Sequence, residues 1–240
     1  MKDQYFGDIN DYRKYGLLRA LIQATGFAMA VCWMRTAPDG RSDGSKIAYL
    51  NQPDQWRQYD PPLFDFLRQT VASNATRSLN MIENSSILSR CGYFNDFLTD
   101  DPASRRQYFE AFTARCEGRE LLFFDPDNGL EVKSAPYGKR SSSKYLYWHE
   151  VERFYRRGHS LLIYQHYPRV KRRVYADALA AASMKQISVI PQAMFSTPHV
   201  LFLALCQKGH EDLIAKAGTQ VSEMWSDQIV LIDRRERIPN

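Results

Sequence analysis

Apolar positions along this chain alternate between short continuous runs and stripes at helical spacing. Residues 11–22 place Leu17, Leu18, Leu21 and Ile22 on one helical face, with Asp8 or Asn10 as cap and Gly26 as stop. Residues 27–34 form an unbroken apolar run, the pattern of a buried strand, which breaks into a long polar turn at 35–44. The same reading predicts helices at 61–71 and 102–116 and strands at 78–83 and 121–124. The strand at 121–124 closes on the turn Asp125-Pro126-Asp127-Asn128-Gly129.

A basic loop, 133–144, leads into a helix with Tyr147, Val151 and Phe154 on one face. A strand at 160–164 ends in Gln165-His166-Tyr167-Pro168-Arg169. An alanine-rich helix, 170–183, comes next, then strands at 186–190 and 199–205, a helix at 211–225 and a last strand at 228–232. This alternation predicts one α/β domain over 1–240, with a mostly parallel sheet and helices on both faces.

In such sheets ligands bind beyond the carboxyl ends of the strands. Three predicted strand ends are rich in polar groups: 35–44, 125–129 and 165–169, with Glu83 ending a fourth strand. Asp125 follows a run of Leu and Phe and is expected to be partly desolvated, while Gly129 permits a positive φ. A turn that only bonds its own amides would have the same composition. His166 reads as a proton shuttle or a substrate contact, or as a ring that bonds the neighbouring strand end.

Composition adds compartment and charge. No apolar run approaches the length of a membrane span, so no membrane partner is expected. The four cysteines are widely spaced, with no CxxC pair or zinc spacing, which suits a cytoplasmic chain without a structural metal. The net charge is +5, and from residue 133 to 173 there are eleven Lys or Arg against two acids. That block, with Lys139, Arg140, Lys144, Arg169, Lys171, Arg172 and Arg173, is the footprint of an RNA or DNA partner, or a solvated surface. Lys171-Arg172-Arg173 opens a helix, where positive charge opposes the dipole and so favours an external anion. Nothing in the sequence sets an oligomeric state.

Three motifs carry a family resemblance. Gly7-Asp8-Ile9-Asn10-Asp11-Tyr12-Arg13-Lys14-Tyr15, running into an apolar helix, resembles the N-terminal signature of the 23S rRNA adenine-N6 methyltransferase J family. Phe123-Phe124-Asp125-Pro126 resembles that family's strand ending in Asp-Pro-Pro-Tyr, and Ile163 to Pro168 its later strand ending in Trp-Tyr-Pro. The three-Cys-motif partner proteins share a similar outline. The resemblance implies a Rossmann-like, S-adenosylmethionine-dependent methyltransferase fold. It places Lys14 and Tyr15, with Trp33 and Asp39 near the first strand's turn, beside the cofactor, and Glu83 on its ribose. It makes Asp125 the acceptor for an adenine amino group. The chain departs from the pattern at Asp127 and Asn128, where the family has Pro and an aromatic residue, and in the turn at 35–44, which has only Gly40 and Gly44.

Two other readings compete. Asp125, Asp127, Glu131 and Lys133 resemble half of a Mg²⁺-dependent nuclease or phosphodiesterase site. A non-catalytic module binding nucleic acid or nucleotide through the basic block is the other.

Overall fold

The computed structural model describes residues 1–37, 44–73 and 76–233. The predicted cofactor contact Asp39 lies outside them. Nine strands are described: β1 (Met29–Cys32), β2 (Cys91–Phe94), β3 (Leu121–Phe124), β4 (Gly129–Leu130), β5 (Tyr145–Leu146), β6 (Ser160–His166), β7 (Ala193–Ser196), β8 (Val200–Leu205) and β9 (Val230–Asp233). The helices are α1 (Ile9–Thr25), α2 (Pro53–Trp56), α3 (Pro61–Ser73), α4 (Asn80–Glu83), α5 (Pro102–Arg115), α6 (Trp148–Tyr155), α7 (Arg172–Ile187) and α8 (Glu211–Trp225).

Seven strands form one sheet in the order β2-β1-β3-β6-β8-β7-β9. β2, β1, β3 and β6 are parallel, while the β6–β8, β8–β7 and β7–β9 pairs are antiparallel. The sheet is therefore mixed rather than mostly parallel. The tight turn 197–199, closed by Thr197 N–H donating to the Val200 carbonyl at 2.8 Å, folds β8 back against β7.

Alternate residues of each strand feed two cores. Met29, Val31 and Phe123 join α1, α3 and α8 on one face; Ala30, Cys32 and Phe124 join α5, α6 and α7 on the other. Gly16 lets the Trp225 indole of α8 approach α1 where a Cβ would overlap it. Across the sheet, Arg105 is fully buried and holds Glu150 through two hydrogen bonds of 2.6 and 2.8 Å, tying α5 to α6.

Two predicted strands are corrected. Within residues 78–83, Asn80–Glu83 form helix α4 with Leu79 as its N-cap: Leu79 and Ile82, three apart, are the buried pair, which is helical rather than strand spacing. Residues 186–190 are not a strand, because α7 continues to Ile187 and stops at Ser188, whose φ of +57° ends the helix. The strand falls after Pro191 instead, at β7. The edge strand β2, with its small residue Gly92, was not predicted, nor was the short β4–β5 ladder.

β1 has β2 on one side and β3 on the other, so the chain reverses its winding between β1 and β3. That switch point opens a crevice at the carboxyl ends of these strands. The register Cys32–Phe124–Ile163 places the turns after β1, β3 and β6 along one edge.

Candidate functional site

The Asp125 backbone continues the β1–β3 ladder, its N–H donating to the Cys32 carbonyl at 3.0 Å. The turn then enters β4, where the Asn128 N–H donates to Lys144 O at 2.9 Å and the Leu130 N–H to Gln165 Oε1 at 2.7 Å. Gly129 has φ +111°, and a Cβ there would overlap the Gln165 carboxamide. Both strain and overlap weigh against any side chain, so Gly129→Ala is expected to cost about 2 kcal/mol. Chemical denaturation of wild type and variant measures it.

Asp125 is 2% exposed. Its Oδ2 lies 2.7 Å from Lys14 Nζ, which also lies 2.8 Å from Asp11 Oδ1. Asp11 Oδ2 accepts from the Tyr15 hydroxyl at 2.9 Å. The rings of Tyr15, Trp33 and Tyr164 surround the ammonium at 5.3 to 5.6 Å. Burial works against the Lys14 charge, but Asp11 and Asp125 outweigh it and its pKa is raised. Burial pushes the Asp11 carboxyl up to about 6, with Lys14 opposing. Met34, two residues past the end of β1 and bonded through its carbonyl to the Met1 amino group, has φ +46°, a strained conformation for a non-glycine residue.

Asp11, Lys14, Asp125 and Tyr164 line a cavity of about 260 Å³ together with Asp8, Lys46, Pro126, Asp127, Asn128, Lys144 and His166. Its carboxylates are Asp8, Asp11, Asp125 and Asp127. Asp8 caps α1 through the Asn10 N–H at 2.9 Å and accepts from the Lys46 N–H at 3.1 Å, which places Lys46 on the rim. Asp127 sits 2.5 Å from the Met1 amino group and accepts from Thr36 Oγ1. Burial raises its pKa, yet the Met1 ammonium prevails and holds it below the usual carboxylate range. His166, the exposed last residue of β6, is held below the usual imidazole value by partial desolvation at the cavity, with Asp125 and Asp127 opposing and Lys14 adding to the shift.

The structure brings Lys14, the whole 125–128 turn, Lys144 and His166 to one cavity. Tyr15, Trp33 and Glu83 do not line it. Tyr15 and Trp33 are fully buried beneath the site. Glu83, on α4 and not at a strand end, accepts from Trp33 Nε1 at 2.7 Å and Asn95 Nδ2 at 2.9 Å, so both of its oxygens have partners within the protein.

The basic block does not form one surface. Lys139, Arg140, Arg169, Lys171, Arg172 and Arg173 are exposed on segments that leave the site edge of the sheet. Arg156 and Arg157 end α6 just before β6 begins, at the opposite edge. Arg172 donates to the Pro198 carbonyl at 2.6 Å and lies over the Tyr167 ring.

Of the four residues of the nuclease reading, Asp125 and Asp127 line the cavity. Glu131 and Lys133 lie beyond β4 and outside the cavity. Among the described residues, no group of three or more His, Cys, Asp or Glu side chains is placed to hold a metal ion. No described helix is long and apolar enough to cross a membrane.

Asp8, Asp11 and Tyr164 were not singled out from the sequence as site residues. The Asp11-x-x-Lys14 spacing, which puts both on one face of α1, was the available signal. Fold and site define an α/β protein with a charged cavity at the switch point of a mixed sheet. No protein-family model matches the chain, and no curated protein matches it.

Proposed function

We propose that this chain is an S-adenosylmethionine-dependent methyltransferase-like protein that acts on an amino group of a nucleic-acid base. The observation that carries the reading is Asp125, a buried carboxylate at the carboxyl end of β3 that lines the switch-point cavity with His166 and Lys144. The alternating β/α order of the first four sheet strands and the Lys14–Asp125 contact support it: the resemblance implies both residues at one site.

The donor set suits the cofactor. The cavity lining sets four carboxylates beside four lysines, Lys2, Lys14, Lys46 and Lys144, and the Met1 ammonium, which suits a ligand end that carries both cationic and anionic groups, as the sulfonium amino-acid end of the cofactor does. The cavity volume, about 260 Å³, falls under the roughly 300–1,000 Å³ of complete small-molecule sites, so it would hold the reacting end of a longer ligand. Asp8, Asp11 and Asp125 would face that end; Glu83, already bonded to Trp33 and Asn95, is not assigned the ribose. The cofactor would supply an electrophilic methyl group. Asp125 accepts a hydrogen bond from the base amine and turns the nitrogen lone pair toward the methyl carbon. Lys14 holds Asp125 in place. His166, kept neutral by its lowered pKa, takes the proton that the amine loses. A base must leave its stack to reach so buried an acceptor.

The Lys and Arg side chains on the site edge would meet the phosphates. Nucleic-acid binding should then weaken steeply with salt. Replacing Lys171, Arg172 and Arg173 together with Ala should weaken it and flatten the slope of log affinity against log salt by roughly three phosphate contacts at most. Fluorescence anisotropy over a salt series is the test; an unchanged slope leaves these residues as surface only.

A further inference from the structure

A second cleft of about 400 Å³ lies beside the first, over the carboxyl ends of β1 and β2, with Lys2 on the wall of both. Its lining differs in charge: Lys2, Arg35 and Arg77 against the single acid Asp3. Arg35 and Phe97 are placed by backbone pairing. They extend the β1–β2 ladder as an isolated parallel bridge, and the Leu98 N–H donates to the Arg35 carbonyl at 2.7 Å. The guanidinium sits 4.5 Å from the Phe97 ring centre, and the ring is 54% exposed. Arg35 gives Nη2 to Asp3 and Nη1 to the Asn95 carbonyl at 3.4 Å, while its Nε has no hydrogen-bond partner. Arg77 donates to the Gly44 carbonyl at 2.6 Å, which anchors it at the cleft wall.

We infer that this cleft binds a nucleoside phosphate, the phosphate facing Arg35, Arg77 and Lys2 and the base stacking on Phe97. Three cations against one acid select an anion, and arginine forks match phosphate oxygens better than isolated ammonium groups do. An exposed ring next to a guanidinium is a base platform of the kind that single nucleotides use. The two neighbouring cavities differ in charge balance: the first sets its four carboxylates against four lysines and the Met1 ammonium, whereas the second has a clear excess of cations and favours a phosphate. The phosphate has two sources, a free nucleotide or a polynucleotide. This inference stands whether or not the neighbouring cavity transfers a methyl group.

The test is calorimetric titration of the full chain with AMP, with adenosine and with inorganic phosphate, repeated on Phe97→Ala and Arg35→Gln. AMP is expected to bind at least about 10-fold more tightly than adenosine, since the phosphate carries the charge contacts. Each variant should weaken AMP by about 10-fold, the scale of one lost stacking or bidentate partner. Phe97→Ala removes an exposed ring and keeps the test intact if Arg35→Gln folds poorly. A short single-stranded oligonucleotide that displaces AMP assigns the phosphate to a polynucleotide; one that does not assigns it to a free nucleotide. No binding of AMP or oligonucleotide at millimolar concentration overturns the inference. AMP affinity that Phe97→Ala leaves at the wild-type value overturns it too.

Discussion

Asp125→Asn is expected to slow methyl transfer by about 100-fold or more while leaving S-adenosylmethionine affinity within a few-fold of wild type. The amide oxygen of Asn can still accept from Lys14, which lies 2.7 Å from the Asp125 carboxylate, so the turn keeps its place. What is lost is the negative charge that aims the base amine, and the new amide donor opposes the incoming N–H. Asp127→Asn separates positioning from chemistry. Asp127 bonds Thr36 and the Met1 amino group, contacts that fix the turn, so this change should lower stability more than it alters the rate of a folded molecule. Single-turnover methyl transfer and direct cofactor titration on both variants give the comparison. Equal rates for wild type and Asp125→Asn would remove Asp125 from the chemistry.

Lys14→Met is expected to destabilise the protein by about 3–5 kcal/mol. Lys14 is 1% exposed and holds two buried carboxylates, Asp11 and Asp125. Without it both are left in a low-dielectric interior with no cation between them. Thermal melts should show a drop of about 10 °C or more for a chain of this size. The deficit should narrow on acidification. Asp11 already has its pKa raised from 3.8 to about 6 by burial, with Lys14 opposing, and losing Lys14 raises it further. Between those two values the folded protein keeps a proton that the unfolded chain has released. This carboxyl therefore costs stability as pH rises through that window and ceases to do so below it. Lys14→Met combined with Asp11→Asn should recover part of the loss, because one uncompensated charge has gone. A Lys14→Met melt within 1 °C of wild type at pH 7 would contradict the account of this triad.

The sequence showed the parallel core because β1, β3 and β6 are continuous apolar runs, buried on both faces. The turn after β3 was legible for a related reason: Pro126 and Gly129 punctuate a strand that could not continue. β2 was missed because it is a short edge strand interrupted by Gly92 and mostly half-buried, so it has no apolar run to announce it. The antiparallel half was blurred where α7 runs on through Gln186 and Ile187, residues that a strand would also accept. Tertiary contacts decided that boundary, not propensity.

The site was legible at its centre and not around it. Asp125, Lys14 and His166 stood out through motif and position, and they share one cavity. Tyr15, Trp33 and Glu83 have the chemistry of binding residues, yet their polar atoms bond one another or Asp11 and Asn95. Pairing of that kind, across 50 residues between Trp33 and Glu83, leaves no trace in a single sequence. The basic block misled in the other way. Its residues are contiguous in sequence, but α6 carries Arg156 and Arg157 to the far edge of the sheet.

Titration of the wild-type chain with S-adenosylmethionine, by calorimetry and in the presence and absence of Mg²⁺, tests the central claim most directly. The account of the charged cavity at the β1–β3 switch point predicts saturable binding of one cofactor molecule that needs no metal and competes with its demethylated product. Heat with Mg²⁺ alone, and none with the cofactor up to millimolar concentration, would contradict the account.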